Sequence, residues 1–205
     1  MRSSVMTTAH DLTIVSLDVP SDYSVERGDL SLALAGAELI DLLEAGTVTL
    51  DGPVLRPASP GASGDRLLDE AASLAGQEPA ESVTDWLWRR GDGLAARYLA
   101  AAGADDGGRK HLGRSARRGA DRPAPADPAA RRRATDRWAD GDPVLVGLAA
   151  AVGVRHESAD QPEDPEDDRI ATVLAAVNDA VVELAATRQR RSIEEAAFDN
   201  IWRGL

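Results

Sequence analysis

Apolar and polar positions divide the chain into helical stretches separated by glycine, proline and charge. Leu32, Gly36, Leu39 and Leu43 recur at i, i+4, i+7 and i+11. That spacing predicts a helix from Asp29, read as its N-cap, to about 45, with Gly46 placed to stop it. Two β-prone runs follow, Thr47 to Leu50 and Pro53 to Arg56, and the Asp51-Gly52 pair between them predicts a tight hairpin. Ser63 to Ala71 opens another helix, with Leu67, Leu68, Ala71 and Leu74 on one side. Beyond Pro79 a helix is expected from Ser82 to Arg90, pausing at Gly91-Asp92-Gly93 and resuming from Leu94 to Ala102.

Periodicity disappears between 103 and 128, where Gly, Pro, Ala and Arg dominate, so this segment is read as a loop, a hairpin or a disordered linker. Asp142-Pro143 has the form of an N-cap and first helical residue ahead of the apolar run to Val154. The seven acids and two prolines of Glu157 to Asp168 read as a solvated loop. Last comes an apolar stripe at Ile170, Val173, Leu174, Val177, Val181 and Leu184, regular over four turns. The expectation is a mainly α protein: a flexible N-terminus over 1–9, then a single globular helical domain over 10–205. It carries one or two short β-hairpins and an Arg-rich loop or hairpin at about 103–128.

Composition narrows the chemistry. At 205 residues and 21.6 kDa the chain can bury a sizeable core. Aromatics are only 3% of it, so Leu, Val and Ala must fill that core. With no cysteine there are no disulfides, thiol nucleophiles or thiolate metal sites. No secretory signal is visible in Met1 to Thr8. The run from Val144 to Val154, with two glycines, is too short to cross a bilayer, and a cytoplasmic location is expected.

Catalytic signatures are missing. No nucleophile elbow, phosphate loop, dinucleotide-binding turn or zinc-protease helix is present. His10, His111 and His156 stand apart in unrelated contexts and read as surface groups. The acidic run before Ile170 lacks the alternating ligands and central glycine of a calcium loop. No enzyme activity, metal or cofactor is expected. A helix followed at once by a hairpin also ends a winged-helix layout, but Glu38, Asp41 and Glu44 on that helix would repel phosphates, so nucleic acid is not the expected partner.

Charge then complicates the picture. The net charge is -12, yet Arg109 to Arg137 holds ten basic and three acidic residues, a local +7 that leaves -19 on the rest. Three readings fit this segment. Arg114, Arg117, Arg118, Arg131, Arg132 and Arg133 can attract anionic lipid, each basic group near such a membrane being worth roughly 1 kcal/mol. They can instead be a solvated linker in a chain with one lysine and 22 arginines, or they can form salt bridges to the acidic body.

Three segments, in order, resemble the Golgi phosphoprotein 3 family, particularly its bacterial, actinobacterial-type members. Leu39-Ile40-Asp41-Leu42-Leu43-Glu44-Ala45-Gly46 with the following hairpin is similar to the family's helix-turn-strand segment. Ser63-Gly64-Asp65-Arg66-Leu67-Leu68-Asp69-Glu70-Ala71 is close to its Thr-Gly-Asp-x-Leu-Leu-Asp-Glu-Ala signature, and Asp136-Arg137-Trp138 resembles its Asp-Lys-Trp element. Asp11 to Leu17 matches the family's opening Leu-rich helix.

The resemblance spans about His10 to Ala185. It implies a peripheral membrane protein that binds phosphatidylinositol 4-phosphate and acts as an adaptor for protein tails. Where the family's lipid pocket has a tryptophan, this chain has Glu26; where it has an arginine in the first long helix, Ala35. The family's arginine pair falls on Ala139 to Pro143, which carries Asp140 and Asp142. The resemblance therefore implies a phosphoinositide-binding scaffold with altered pocket residues, meeting anionic phospholipid at the inner face of the membrane by electrostatics. The alternative is a cytoplasmic interaction module that binds a protein partner and no lipid. The oligomeric state is left open.

Overall fold

A computed structural model describes residues 7–18, 25–59, 61–75, 80–103, 128–156 and 165–203, with side chains through 196. Among these residues the chain forms eight helices and one two-stranded antiparallel sheet. The order is α1 (Thr8–Asp18), α2 (Arg27–Glu44), β1 (Val48–Asp51), β2 (Val54–Pro57), α3 (Arg66–Ala75), α4 (Val83–Gly91), α5 (Leu94–Ala101), α6 (Pro128–Ala139), α7 (Pro143–Ala151) and α8 (Asp168–Arg203). The mainly α expectation holds, with one hairpin.

The organising element is α2. Every residue from Leu30 to Ile40 is buried, because the helix is apolar all round and is wrapped by α1, α3, α4, α5, α7 and α8. Gly36 sets the closeness of α8: a Cβ there would lie 2.3 Å from Cγ2 of Val177. From α8 the residues Ile170, Val173, Val177, Ala180 and Val181 enter the core, and from α4 and α5 come Trp86, Leu87, Leu94 and Tyr98. By length and composition alone α8 could cross a membrane; here its apolar row closes the core.

Helix α2 starts three residues earlier than an N-cap at Asp29 would allow. Glu26 is its N-cap, without a side-chain cap bond, while Asp29 sits in the first turn and pairs with Arg188 of α8 at 2.8 Å. At the other end Gly46, with φ 65, donates to the Leu43 carbonyl and Thr47 donates to that of Leu42. This paired termination lets the chain reverse straight into β1. The hairpin is shifted by one residue from its expected position. Asp51 pairs with Val54, leaving Gly52-Pro53 as the loop. An Asp-Gly loop of the type I′ kind needs positive φ at both residues, and among the described residues only glycines have it.

The Ser63 to Ala71 motif has a structural explanation. Asp65 Oδ1 accepts from Leu68 N–H at 2.9 Å, which makes Asp65 the cap of α3. Asp69 reaches back to the Ser63 amide at 2.6 Å and to its hydroxyl at 2.8 Å. Two amides of the helix entry, those of Leu68 and Ser63, are thus satisfied by side-chain carboxylates. The cap expected at Asp142 is in place, accepting from Leu145 N–H, and Ser82 caps α4 in the same way, accepting from Asp85 N–H.

Helix α6 was not expected. It lies at the end of the cationic segment and buries only Ala134 fully, so it presents no apolar stripe. The remainder of the segment read as loop or hairpin, 104–127, lies outside the described residues, as do 1–6 of the expected flexible N-terminus and 157–164 of the acidic run.

Candidate functional site

Arg131, Arg132 and Arg133 fall on α6, and Arg114, Arg117 and Arg118 lie outside the described residues. One turn of α6 separates Arg133 from Arg137, so both guanidinium groups reach the same carboxylate on α1. Arg133 Nη2 donates to Asp11 Oδ1 at 2.6 Å and Arg137 Nη1 to Asp11 Oδ2 at 2.7 Å. Asp11 has no exposed side-chain surface. Arg137 also grips the α7 cap, Asp142, through Nε at 3.1 Å and Nη2 at 2.9 Å. Burial alone would lower the Arg137 pKa, but its bonds to Asp11 and Asp142 raise it. Arg131 bonds Asp18, an exposed pair. Arg132 is exposed and makes no ion pair with a described residue. The salt-bridge reading of the cationic segment therefore describes α6: two arginines moor it, one pairs at the surface, and one faces solvent alone.

The positions that the resemblance sets against the family's lipid pocket carry no arginine. Glu26 is exposed at the start of α2. Ala35 is fully buried, and its carbonyl accepts from Trp86 Nε1–H at 3.1 Å. Asp142 is already satisfied by Arg137 and by the Leu145 amide. A phosphate-binding arrangement of arginines is absent from these three positions.

A second charged cluster, unforeseen from sequence, lies in the core. Glu38 of α2 is fully buried and takes a bidentate grip from Arg90 of α4, Nε to Oε2 at 2.6 Å and Nη2 to Oε1 at 2.8 Å. Tyr98 of α5 donates to the same Glu38 Oε1 at 2.9 Å. Arg90 continues to the Leu67 carbonyl and to Glu70 of the α3 motif, which Arg97 clamps from α5. Burial pushes the Glu38 carboxyl above its ordinary range against the pull of Arg90, while Arg97 holds partly exposed Glu70 down at about 2. Nearby, Asp41 accepts from the Thr8 and Ala9 amides at 2.9 and 3.3 Å, fastening the start of α1 to α2. Burial lifts its pKa to about 7. Of the acids invoked against DNA binding, Glu38 and Asp41 thus face inward, and only Glu44 is exposed.

The one sequence signal for this cluster was an acid inside an otherwise apolar run. His10, half-buried, bonds Thr7 and lies edge-on to Tyr98, and His156 reaches the Trp138 carbonyl; His111 lies outside the described residues. Separately, a cavity of about 680 Å³ opens between the starts of α2 and α5, the end of α4 and α8, lined by Arg27, Ser31, Trp88, Arg89, Gly93 and Leu184 among others. No group of three or more potential metal ligands occurs among the described residues.

The fold and these clusters define a class: an α-helical scaffold built around one buried helix, with two clusters of charged groups that tie helices together. A model of the Golgi phosphoprotein 3 (GPP34) family matches residues 9–196. The chain belongs to that family. No curated protein and no solved structure matches it.

Proposed function

We propose that this member of the family is a non-enzymatic peripheral membrane adaptor, held to anionic phospholipid at the cytoplasmic face by the arginines of its 109–137 segment. The observation that carries this reading is the way α6 is mounted. Arg133 and Arg137 fix it to buried Asp11, so the cationic segment is tethered to the body with Arg132 directed at solvent. Arg131 shares that exposed end, and its surface pair with Asp18 can be exchanged for a lipid phosphate at little cost. Arg114, Arg117 and Arg118 add charge from the same segment. Four or five such groups supply reversible attachment at roughly 1 kcal/mol each.

Contact of this kind is screened by salt and has no need of a stereospecific inositol phosphate pocket. Cosedimentation with phosphatidylserine vesicles, with and without phosphatidylinositol 4-phosphate, across a salt series tests it. Binding at low salt that disappears at high salt, and that is abolished when Arg114, Arg117, Arg118 and Arg132 become Ala, is the expected result. No binding at low salt sinks the proposal.

The second reading, a cytoplasmic module that binds a protein partner and no lipid, is favoured by the occupants of the pocket positions: exposed Glu26, buried Ala35 and already bonded Asp142. It predicts a specific protein in pull-downs and no vesicle association.

A further inference from the structure

We propose that the cavity between the starts of α2 and α5 is a binding site for a small amphipathic anion, a single negative charge carried on an apolar body, as in an aliphatic or aromatic carboxylate. At about 680 Å³ it has the size of a small-ligand pocket. Its walls are preformed by the fold. Gly91 brings the end of α4 against α2, where a Cβ would lie 3.3 Å from the Ser31 carbonyl oxygen and 3.4 Å from Leu32. Gly93, with φ 66, then turns the chain directly into α5. Leu184 of α8 adds a further wall. Leu32, Trp88, Ala95, Ala96 and Leu184 together supply a surface for an apolar body, and Trp88 is still 37% exposed.

The polar groups of the lining set the sign of the charge. Between the two helix starts lies Ser31, only 6% exposed, whose oxygen accepts from Ala95 N–H at 3.0 Å and whose own proton is donated to no described residue. Helices α2 and α5 both begin at this cavity without a cap bond from Glu26 or Gly93. By contrast, α3, α4 and α7 are capped by Asp65, Ser82 and Asp142. The positive ends of two helix dipoles thus meet at one space. Arg27 adds a full positive charge to the lining. Arg89 is committed to Glu81, with Nε at 3.0 Å, and lies over the Trp86 ring, so it serves as a fixed wall. Asp92 is the one acid among the lining residues, and its repulsion disfavours heads with more than one negative charge. Glu26, Ala35 and Asp142, the positions set against the family's lipid pocket, do not line this cavity, and neither do the arginines of α6.

Two fluorescent dyes probe the two halves of the site in the full chain: anilinonaphthalene sulfonate, an aromatic body with a single sulfonate, and its neutral counterpart phenylnaphthylamine. The expected result is saturable binding of the sulfonate at one site per chain, displaced by octanoate. Ala96→Phe, which places a ring in the cavity from an exposed position on α5, weakens both dyes at least tenfold. Arg27→Glu, in the first turn of α2 where an acid suits the helix dipole, weakens the sulfonate at least tenfold and leaves the neutral dye within about twofold. Thermal melts report that the variants fold, and if Ala96→Phe does not, the comparison of dyes in Arg27→Glu decides alone. Lack of saturable binding overturns the proposal, as does a sulfonate dye that octanoate fails to displace or that binds either folded variant as it binds the parent chain. Equal loss of both dyes in Arg27→Glu also overturns it, because the charge of the ligand is then not what the cavity reads.

Discussion

Arg90 shows how one side chain can tie four segments of this fold together. Its guanidinium joins Glu38 on α2, the Leu67 carbonyl and Glu70 on α3, and through Glu70 the Arg97 of α5. Burial of an ion pair is not in itself stabilising, but removing one partner leaves the other charged or forces it to take up a proton. Arg90→Leu is therefore expected to cost about 3–5 kcal/mol in urea unfolding. Adding Glu38→Leu removes the stranded charge and recovers at least half of that loss, because the two groups act as a unit. Equal or greater damage in the double variant would show that Arg90 matters for its packing alone. This pair could not be read from sequence, since its members are 52 positions apart. Arg90 follows Arg89 at a helix end, where basic residues are ordinary. Only Glu38, set among Leu34, Ala35, Leu39 and Ile40, hinted at a buried partner.

Helices were legible where they bury a stripe and illegible where they do not. Apolar spacing located α2, α3, α4, α5, α7 and the first half of α8, and the cap at Asp142 followed from residue type. Helix α6 escaped because charge pairs hold it to α1, with Ala134 as its one fully buried residue. The hairpin was found but displaced by a residue, since the Asp-Gly signature does not say which of its members enters the strand. Contact between elements adds a constraint that periodicity misses. Gly36 counts as an apolar position in the pattern, yet what α8 requires of it is the absence of a Cβ. Gly36→Ala would place that atom against Val177 Cγ2, with Val173 and Leu148 leaving no room to retreat, and should cost about 1–3 kcal/mol. At Gly28 the new Cβ meets the ends of Arg188 and Leu184, which can swing aside, and helix propensity gains up to about 1 kcal/mol. Gly28→Ala should thus be the milder of the two in thermal unfolding, and the reverse order would mean that α2 and α8 do not meet as described.

At the scale of the whole molecule, the buried acids give stability an unusual dependence on pH. Asp41 has its pKa raised from 3.8 to about 7 by burial, and Glu38 is shifted in the same direction. Between those two values for Asp41 the folded chain binds more protons than the unfolded one, so stability falls as pH rises. A shift of this size corresponds to a loss on the order of 4 kcal/mol, complete once pH passes about 7. Glu70 has the opposite sign: Arg97 lowers it from 4.5 to about 2, so its contribution is present above 4.5 and lost as pH falls through about 2. The acidic excess adds to the first trend, because self-repulsion grows as carboxylates ionise toward the net -12. Together these place the stability maximum in acid, about pH 4–5, below the usual neutral range. Asp41→Asn keeps an acceptor for the Thr8 amide while removing the ionisation, so the decline between pH 4 and 7 should flatten and the acid limb should remain. Urea titrations at fixed ionic strength across pH 3 to 8 decide it. An unchanged slope in the variant would mean that Asp41 is not the group whose ionisation drives the decline.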